Sequence, residues 1–165
     1  MRVAILTLSD KGARGERVDE SGPELANWLS ERGAKTVLSR IIADEFDQIV
    51  AVLTEWADTD AADLILTTGG TGVSPRDITP EATLQVVERL IPGLGELMRL
   101  KSMEKTTMAA LSRAVAGIRR QTLIINLPGS PRAARENLEA VWPTLGHAIE
   151  KIRGGQEDCG GRFSK

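Results

Sequence analysis

Residues 64–81 read Leu64-Ile65-Leu66-Thr67-Thr68-Gly69-Gly70-Thr71-Gly72-Val73-Ser74-Pro75-Arg76-Asp77-Ile78-Thr79-Pro80-Glu81, and this stretch decides the fold class. A short apolar run of strand character passes into a glycine-rich turn, then a carboxylate, then a helix start. Gly69, Gly70 and Gly72 let the backbone approach a ligand closely and expose successive amides, which suits a phosphate group. Thr79 is placed as an N-cap, Pro80 fits the first helical position, and Glu81 suits the positive end of the helix dipole. Strand, anion-receptive loop and helix N-terminus in that order describe a nucleotide or phosphoester site in an α/β protein. Two common phosphate loops do not fit. A Walker A loop needs a lysine that is absent here, and the dinucleotide fingerprint needs a glycine where Pro75 stands. The alternative is a tight strand-to-helix turn whose glycines serve geometry alone.

Outward from this loop the chain alternates strand and helix. Residues 2–8 read as a buried strand, followed by a polar loop, Ser9–Gly15. Ser21-Gly22-Pro23 opens a helix with Leu25, Trp28 and Leu29 on one face, stopping at Gly33. A second strand over about 35–42 leads to Asp44. Phe46, Ile49, Val50, Leu53, Trp56 and Ala57 then recur at helical spacing. A strand at Asp63–Thr67 and a helix from Pro80 to about Leu90 continue the alternation, which predicts a mostly parallel sheet covered on both faces.

The second half is less regular. Ile91-Pro92-Gly93 breaks the helix, and residues 94–112 read as short, interrupted helix in which Met98, Met103 and Met108 pack. Ala114–Ile118 and Thr122–Ile125 read as a hairpin. Asn126-Leu127-Pro128-Gly129-Ser130-Pro131 forms a second strand-to-helix loop, with Ser130 as cap and Pro131 opening a last helix that Pro143 should kink. Residues 1–153 read as one domain and 154–165 as a loosely held tail.

The chain has 165 residues, a net charge of −2 and no long basic run, which argues against a nucleic-acid partner. No apolar stretch approaches membrane-spanning length. With a single cysteine, Cys159, no internal disulfide forms, and the composition suits a cytoplasmic location. There is one histidine and no tyrosine, so Asp, Glu or a metal would carry any acid–base chemistry. His147 lies off the apolar stripe of its helix and reads as a surface residue, and Cys159 as an incidental thiol.

Thr67–Gly72, Arg76–Glu81 and Asn126–Pro131, with Leu111-Ser112-Arg113 and Gly117-Ile118-Arg119 before the last of these, resemble the MogA/MoaB family of molybdenum-cofactor synthesis. That family is related to the G domain of gephyrin. The similarity runs from residue 3 to about residue 160, including Asp158-Cys159-Gly160. The Ser9-Asp10-Lys11 and Asp19-Glu20-Ser21-Gly22 segments look closer to the MogA branch, the molybdopterin adenylyltransferases, than to MoaB.

The resemblance implies a three-layer α/β/α sandwich with a mixed, mostly parallel sheet. It also implies transfer of AMP from ATP to molybdopterin with release of pyrophosphate. Asp44 and Asp77 match the family aspartates linked to Mg²⁺ and catalysis, and hard carboxylate oxygens suit that ion. Without the resemblance, Asp44 reads as a helix N-cap and Asp77 as a turn residue. By the same resemblance Thr68, Gly69, Gly70, Thr71 and Gly72 would contact the nucleotide, as would Asn126, Pro128, Gly129 and Ser130. Ser9 and Asp10 would lie beside the same cleft. Ser112 and Arg113 would face the pterin phosphate or its dithiolene end, or else end a helix ahead of a strand. Arg76 reads as a solvated loop cation rather than a phosphate ligand. A homotrimer is implied, with the molybdenum-insertion protein as a further partner. A pterin-binding member without catalysis, or a scaffold like the gephyrin G domain, are the competing functions.

Overall fold

In a computed structural model, residues 1–155 are described. The elements are β1 (Arg2–Leu8), α1 (Asp10–Ala13), α2 (Ser21–Ser30), β2 (Lys35–Ile42), α3 (Phe46–Asp58), β3 (Leu64–Thr68), α4 (Thr79–Val86), β4 (Arg89–Leu90), α5 (Pro92–Met103), a 3₁₀ turn (Thr107–Leu111), β5 (Ala116–Arg119), β6 (Thr122–Leu127) and α6 (Pro131–Ile152). They form one six-stranded sheet in the order β2-β1-β3-β6-β5-β4. The pairs β1–β2, β1–β3 and β3–β6 are parallel, and β5 pairs antiparallel with both β6 and β4.

The central strands alternate their side chains between two apolar layers, as strand geometry requires. Val3, Ile5, Leu64, Leu66, Leu123 and Ile125 face α2, α5 and α6, joined by Leu25, Leu29, Met98, Leu138 and Leu145. Ala4, Leu6, Leu8, Ile65 and Ile124 face α3 and α4, joined by Ile49, Leu53, Trp56, Ala82 and Val86. Both layers are fully buried, which explains why β1, β3 and β6 read as continuous apolar runs rather than alternating ones. The expected three-layer sandwich is the fold. Among the described residues no helix is long and apolar enough to cross a membrane.

The structure refines several local expectations. The polar loop after β1 contains a helical turn, α1, because the Ser9 side chain accepts the Gly12 N–H and caps it. Helix α4 ends at Val86 instead of running to Leu90. Val87 turns extended, and the Glu88 and Ile91 N–H groups bond Ile118 and Ala116 in β5. Gly117 allows this, since a Cβ there would stand 2.9 Å from the Val87 side chain. In α3, Ile49, Leu53, Trp56 and Ala57 are buried as expected and joined by Val52, while Phe46 is exposed and Val50 only partly covered. Met98 packs in the core as expected, whereas Met103 and Met108 are exposed. The N–H groups of Gly154 and Gly155, just past α6, donate to the Lys151 and Glu150 carbonyls. The rest of the expected tail, with Cys159, lies outside the described residues.

Candidate active site

Register places the ends of four strands at one level. Thr7 lies opposite Thr68, Thr68 opposite Leu127, and Leu8 opposite Ile42. The chain therefore leaves β1 at Ser9, β2 toward Asp44, β3 at Gly69 and β6 at Pro128 along a single sheet edge. The helix after β1 packs on one face and the helix after β3 on the other. Such a divergence opens a crevice at the carboxyl ends of parallel strands, where ligands of α/β proteins bind. A cavity of about 480 Å³ lies there, lined by Ser9, Asp10, Asp44, Thr68, Gly69, Gly70, Asp77, Gly129 and Ser130 among others.

The glycines are needed for contact. Gly69 has φ +110°, and a Cβ on it would stand 2.3 Å from the Leu8 carbonyl oxygen. Gly70 has φ +62° and lies against Thr79 and Asp44, where a Cβ would approach Asp44 Oδ1 to 3.0 Å. A Cβ on Gly72 would stand 2.8 Å from Asp77 Oδ2. The loop thus runs in contact with both carboxylates. Among the described residues no protein acceptor takes the N–H of Gly70, Thr71 or Gly72, so these donors remain available for an anion.

Three hydroxyls around the cleft brace its loops. Thr68 Oγ1 donates to the Pro128 carbonyl at 2.7 Å and Ser21 Oγ to the Gly129 carbonyl at 2.8 Å. Thr79, expected as the N-cap of α4, is its first residue, and its hydroxyl donates to the buried Gly69 carbonyl at 2.9 Å. Ser130 does precede α6 as its cap residue, but its side chain makes no capping bond.

Asp44 is not an N-cap either, since Glu45 holds that position. The Asp44 and Asp10 segments bond reciprocally, each carboxylate accepting the other's backbone N–H at 3.1 Å. Asp77 is a turn residue as well as a cleft residue, because its Oδ2 accepts the Ser74 N–H at 2.8 Å. Arg76 is not a free cation. Its guanidinium donates to both Asp10 oxygens, at 3.1 and 2.9 Å, and to Glu45 at 2.8 Å, spanning the mouth of the cleft. Nothing at helical or strand period marks this contact. Its only sequence signal is the position of Arg76 beside Asp77.

These contacts split the carboxylates electrostatically. The Arg76 hydrogen bond holds the Asp10 carboxyl below its ordinary range. Burial pushes Asp44 above it, with the neighbouring Asp10 and Asp77 charges adding to the effect. A raised carboxylate binds its proton more tightly in the folded state, so the charged Asp44 costs stability once the pH rises above its unfolded value of 3.8. Asp44→Asn, whose amide oxygen still accepts the Asp10 N–H, is therefore expected to melt higher than the parent at pH 7. That gain should vanish as the pH falls below the unfolded carboxylate value, and melting curves from pH 3 to 8 check it.

Beyond the glycine loop lies a second cavity of about 280 Å³, lined by Thr71, Gly72, Ser112 and Pro128 together with Arg99, Ser102, Thr106, Met108 and Asn137. The loop therefore separates two spaces. Two expected site residues belong to neither. Asn126 is fully buried, its Nδ2 donating to Thr67 and Thr83 hydroxyls and its Oδ1 accepting the Val115 N–H. It fixes β6 against its neighbours. The Arg113 guanidinium is taken up by Gly72, Asp77 and Glu81.

For a divalent cation, Asp44 beside Gly70 and Asp77 beside Gly72 offer hard oxygens in the same cleft. Among the described residues no cluster of three or more His, Cys, Asp or Glu could enclose a metal. That donor set fits Mg²⁺, which commonly takes one or two carboxylates and completes its shell with phosphate oxygens and water.

A glycine loop with unclaimed amides between two cavities, at the carboxyl edge of a mixed α/β/α sheet, has the place and shape of an α/β ligand site. Residues 4–147 match the family described as "Probable molybdopterin binding domain". The chain is 44% identical over 156 residues to the molybdopterin adenylyltransferase of Helicobacter pylori, covering 93% of this chain and 89% of that protein. It is 40% identical over 151 residues to the Escherichia coli K12 protein of the same name, covering 90% and 77%. The solved structure of the molybdopterin biosynthesis enzyme MoaB from Thermus thermophilus superposes with a TM-score of 0.87 at 54% identity, covering 93% of this chain and 96% of that one. The chain belongs to this molybdopterin-binding domain family.

Proposed function

We propose that this protein is a Mg²⁺-dependent molybdopterin adenylyltransferase that moves AMP from ATP to the molybdopterin phosphate. The observation that carries the reading is the Gly69–Gly72 loop. It stands between two cavities with unclaimed amides, and the larger cavity also holds both the Asp44 and Asp77 carboxylates. A reaction joining two phosphoesters needs that arrangement: two substrates approaching a common phosphorus from opposite sides.

An oxygen of the molybdopterin phosphate attacks the α-phosphorus of ATP. The bond from that phosphorus to the bridging oxygen breaks, and pyrophosphate leaves with the electron pair. The phosphate nucleophile is already anionic, so no protein base is required. The work left to the protein is positioning and charge stabilisation. The cleft holding Asp44 and Asp77 would take the triphosphate, and the smaller cavity beside Ser112 and Pro128 the acceptor. The amides of Gly70, Thr71 and Gly72 would donate to phosphate oxygens. Asp44 and Asp77 would hold Mg²⁺, which when bound offsets charge on the phosphates. The cytoplasmic location and the homotrimer belong to the same proposal, as does a product passed on to a molybdenum-insertion protein.

Pyrophosphate release by the purified protein with ATP, Mg²⁺ and molybdopterin tests the reading. Release that requires the pterin and stops with a chelator is the expected result. Pterin binding without release would place the chain among non-catalytic pterin-binding proteins.

A further inference from the structure

We propose that Arg113 is a positioning residue: with Thr79 it holds the carbonyls of the glycine loop, and so fixes the direction of the loop's N–H groups and the place of Asp77. This inference rests on the function proposed above for its catalytic consequence, but not for its structural one. It also replaces the role of pterin-phosphate ligand that the family resemblance implied for Arg113.

The carbonyl bonds are the ground for it. Four consecutive loop carbonyls are occupied, and among the described residues two, Thr79 and Arg113, occupy them. The Gly69 carbonyl accepts the Thr79 hydroxyl at 2.9 Å and the Gly70 carbonyl accepts the Thr79 N–H at 3.1 Å. The Thr71 carbonyl accepts the Arg113 N–H at 2.9 Å and the Gly72 carbonyl accepts Arg113 Nε at 2.6 Å. In a planar trans peptide the N–H points opposite the preceding carbonyl. Holding the carbonyls of residues 69–72 therefore orients the N–H groups of residues 70–73. Glycines cannot supply this order themselves, having no side chain and wide backbone freedom.

The remaining arms of the guanidinium extend the clamp. One donates to the Asp77 carbonyl and another pairs with Glu81 in the first turn of α4. A single rigid fork thus ties together the loop, the backbone of the residue that carries the cleft carboxylate, and the helix that follows. A lysine has one compact head and cannot span these acceptors.

Two measurements on Arg113→Ala, Arg113→Lys and Glu81→Gln test the proposal: steady-state AMP transfer, and peptide-level hydrogen–deuterium exchange of the free protein. In Arg113→Ala, kcat is expected to fall about 10²-fold, the loss typical of misplaced reacting groups. KM for molybdopterin should stay within about threefold. Peptides covering 69–78 should exchange about tenfold faster, with the central strands unchanged. Arg113→Lys should restore little of this.

A raised KM for molybdopterin at normal kcat, rescued by lysine, would overturn the proposal, because the charge would then be meeting substrate. So would unchanged exchange over 69–78. If the parent protein transfers no AMP, the proposed function fails, and the exchange measurement still decides the clamp. If Arg113→Ala does not fold, Glu81→Gln decides. A clamp predicts faster loop exchange and a modest drop in kcat. A substrate-binding Arg113, released from Glu81, would lower KM for molybdopterin instead.

Discussion

Asp77→Asn is expected to lower AMP transfer about 10³-fold while leaving the fold intact, as a residue stabilising transition-state charge should. The substitution is a clean probe because of the second role that Asp77 plays. Its Oδ2 accepts the Ser74 N–H at 2.8 Å, and its own N–H donates to the Ser74 carbonyl at 2.9 Å. An asparagine oxygen keeps the first bond and its backbone keeps the second. What disappears is the negative charge beside the loop, and with it one of two carboxylates available to Mg²⁺. The melting temperature should therefore move by no more than about 2 °C, the shift expected for less than about 1 kcal/mol in a chain of this size. Pyrophosphate release and a melting curve on the same preparation suffice. Turnover at the parent rate would take Asp77 out of the reaction and leave it as a turn residue.

The second large effect falls on stability. Gly69→Ala places a methyl group on a residue with φ +110°, a backbone conformation costing about 1–3 kcal/mol for an ordinary side chain. The new Cβ also falls 2.3 Å from the Leu8 carbonyl oxygen, which is backbone at the end of the central strand β1. No rotamer relieves that collision, so either β1 or the loop must move. A total loss of about 3–4 kcal/mol follows, lowering the melting temperature by about 6–16 °C. Gly146→Ala makes the control. It lies within α6 with nothing within 4 Å of its Cβ position, and alanine there should be neutral or stabilising by up to about 1 kcal/mol. A loss below 1 kcal/mol for Gly69→Ala would mean that the ends of β1 and β3 are not held as closely as the geometry requires.

The strands and most helices were legible because their burial is written in composition. β1, β3 and β6 carry runs of apolar residues on both faces, since both faces of the sheet are covered. α2 and α6 keep one apolar stripe each. Features decided by a competition between partners were not legible. Residues 87–90 carry helix-compatible side chains, yet bonds to β5 draw them into the sheet. Asn126 sits in a loop-like motif but is sealed under Thr67 and Thr83. Thr79 looks like a cap, but the Gly69 carbonyl claims its hydroxyl. Arg76 and Arg113 differ from any surface arginine only by what lies across from them, and that is fixed by register rather than by neighbours in sequence. The glycine loop and its two carboxylates could be found from their spacing. The contacts that hold them still could not.

An all-parallel sheet delivers only the outgoing ends of its strands to the carboxyl edge. Because β5 runs antiparallel beside β6, this sheet also brings an incoming end there, with Ala116 opposite Ile125 and Arg113 just ahead of it. The two cavities consequently draw on different parts of the chain. The larger is built from what leaves β1, β2, β3 and β6, and the smaller largely from the stretch arriving from α5. The turn joining β5 to β6 is at the far end, about 20 Å away by strand rise. Changes of length or sequence between Met103 and Leu111, ahead of the Arg113 clamp, thus reshape one cavity and leave the walls of the other standing, a division of labour that lets the two halves of the site vary independently.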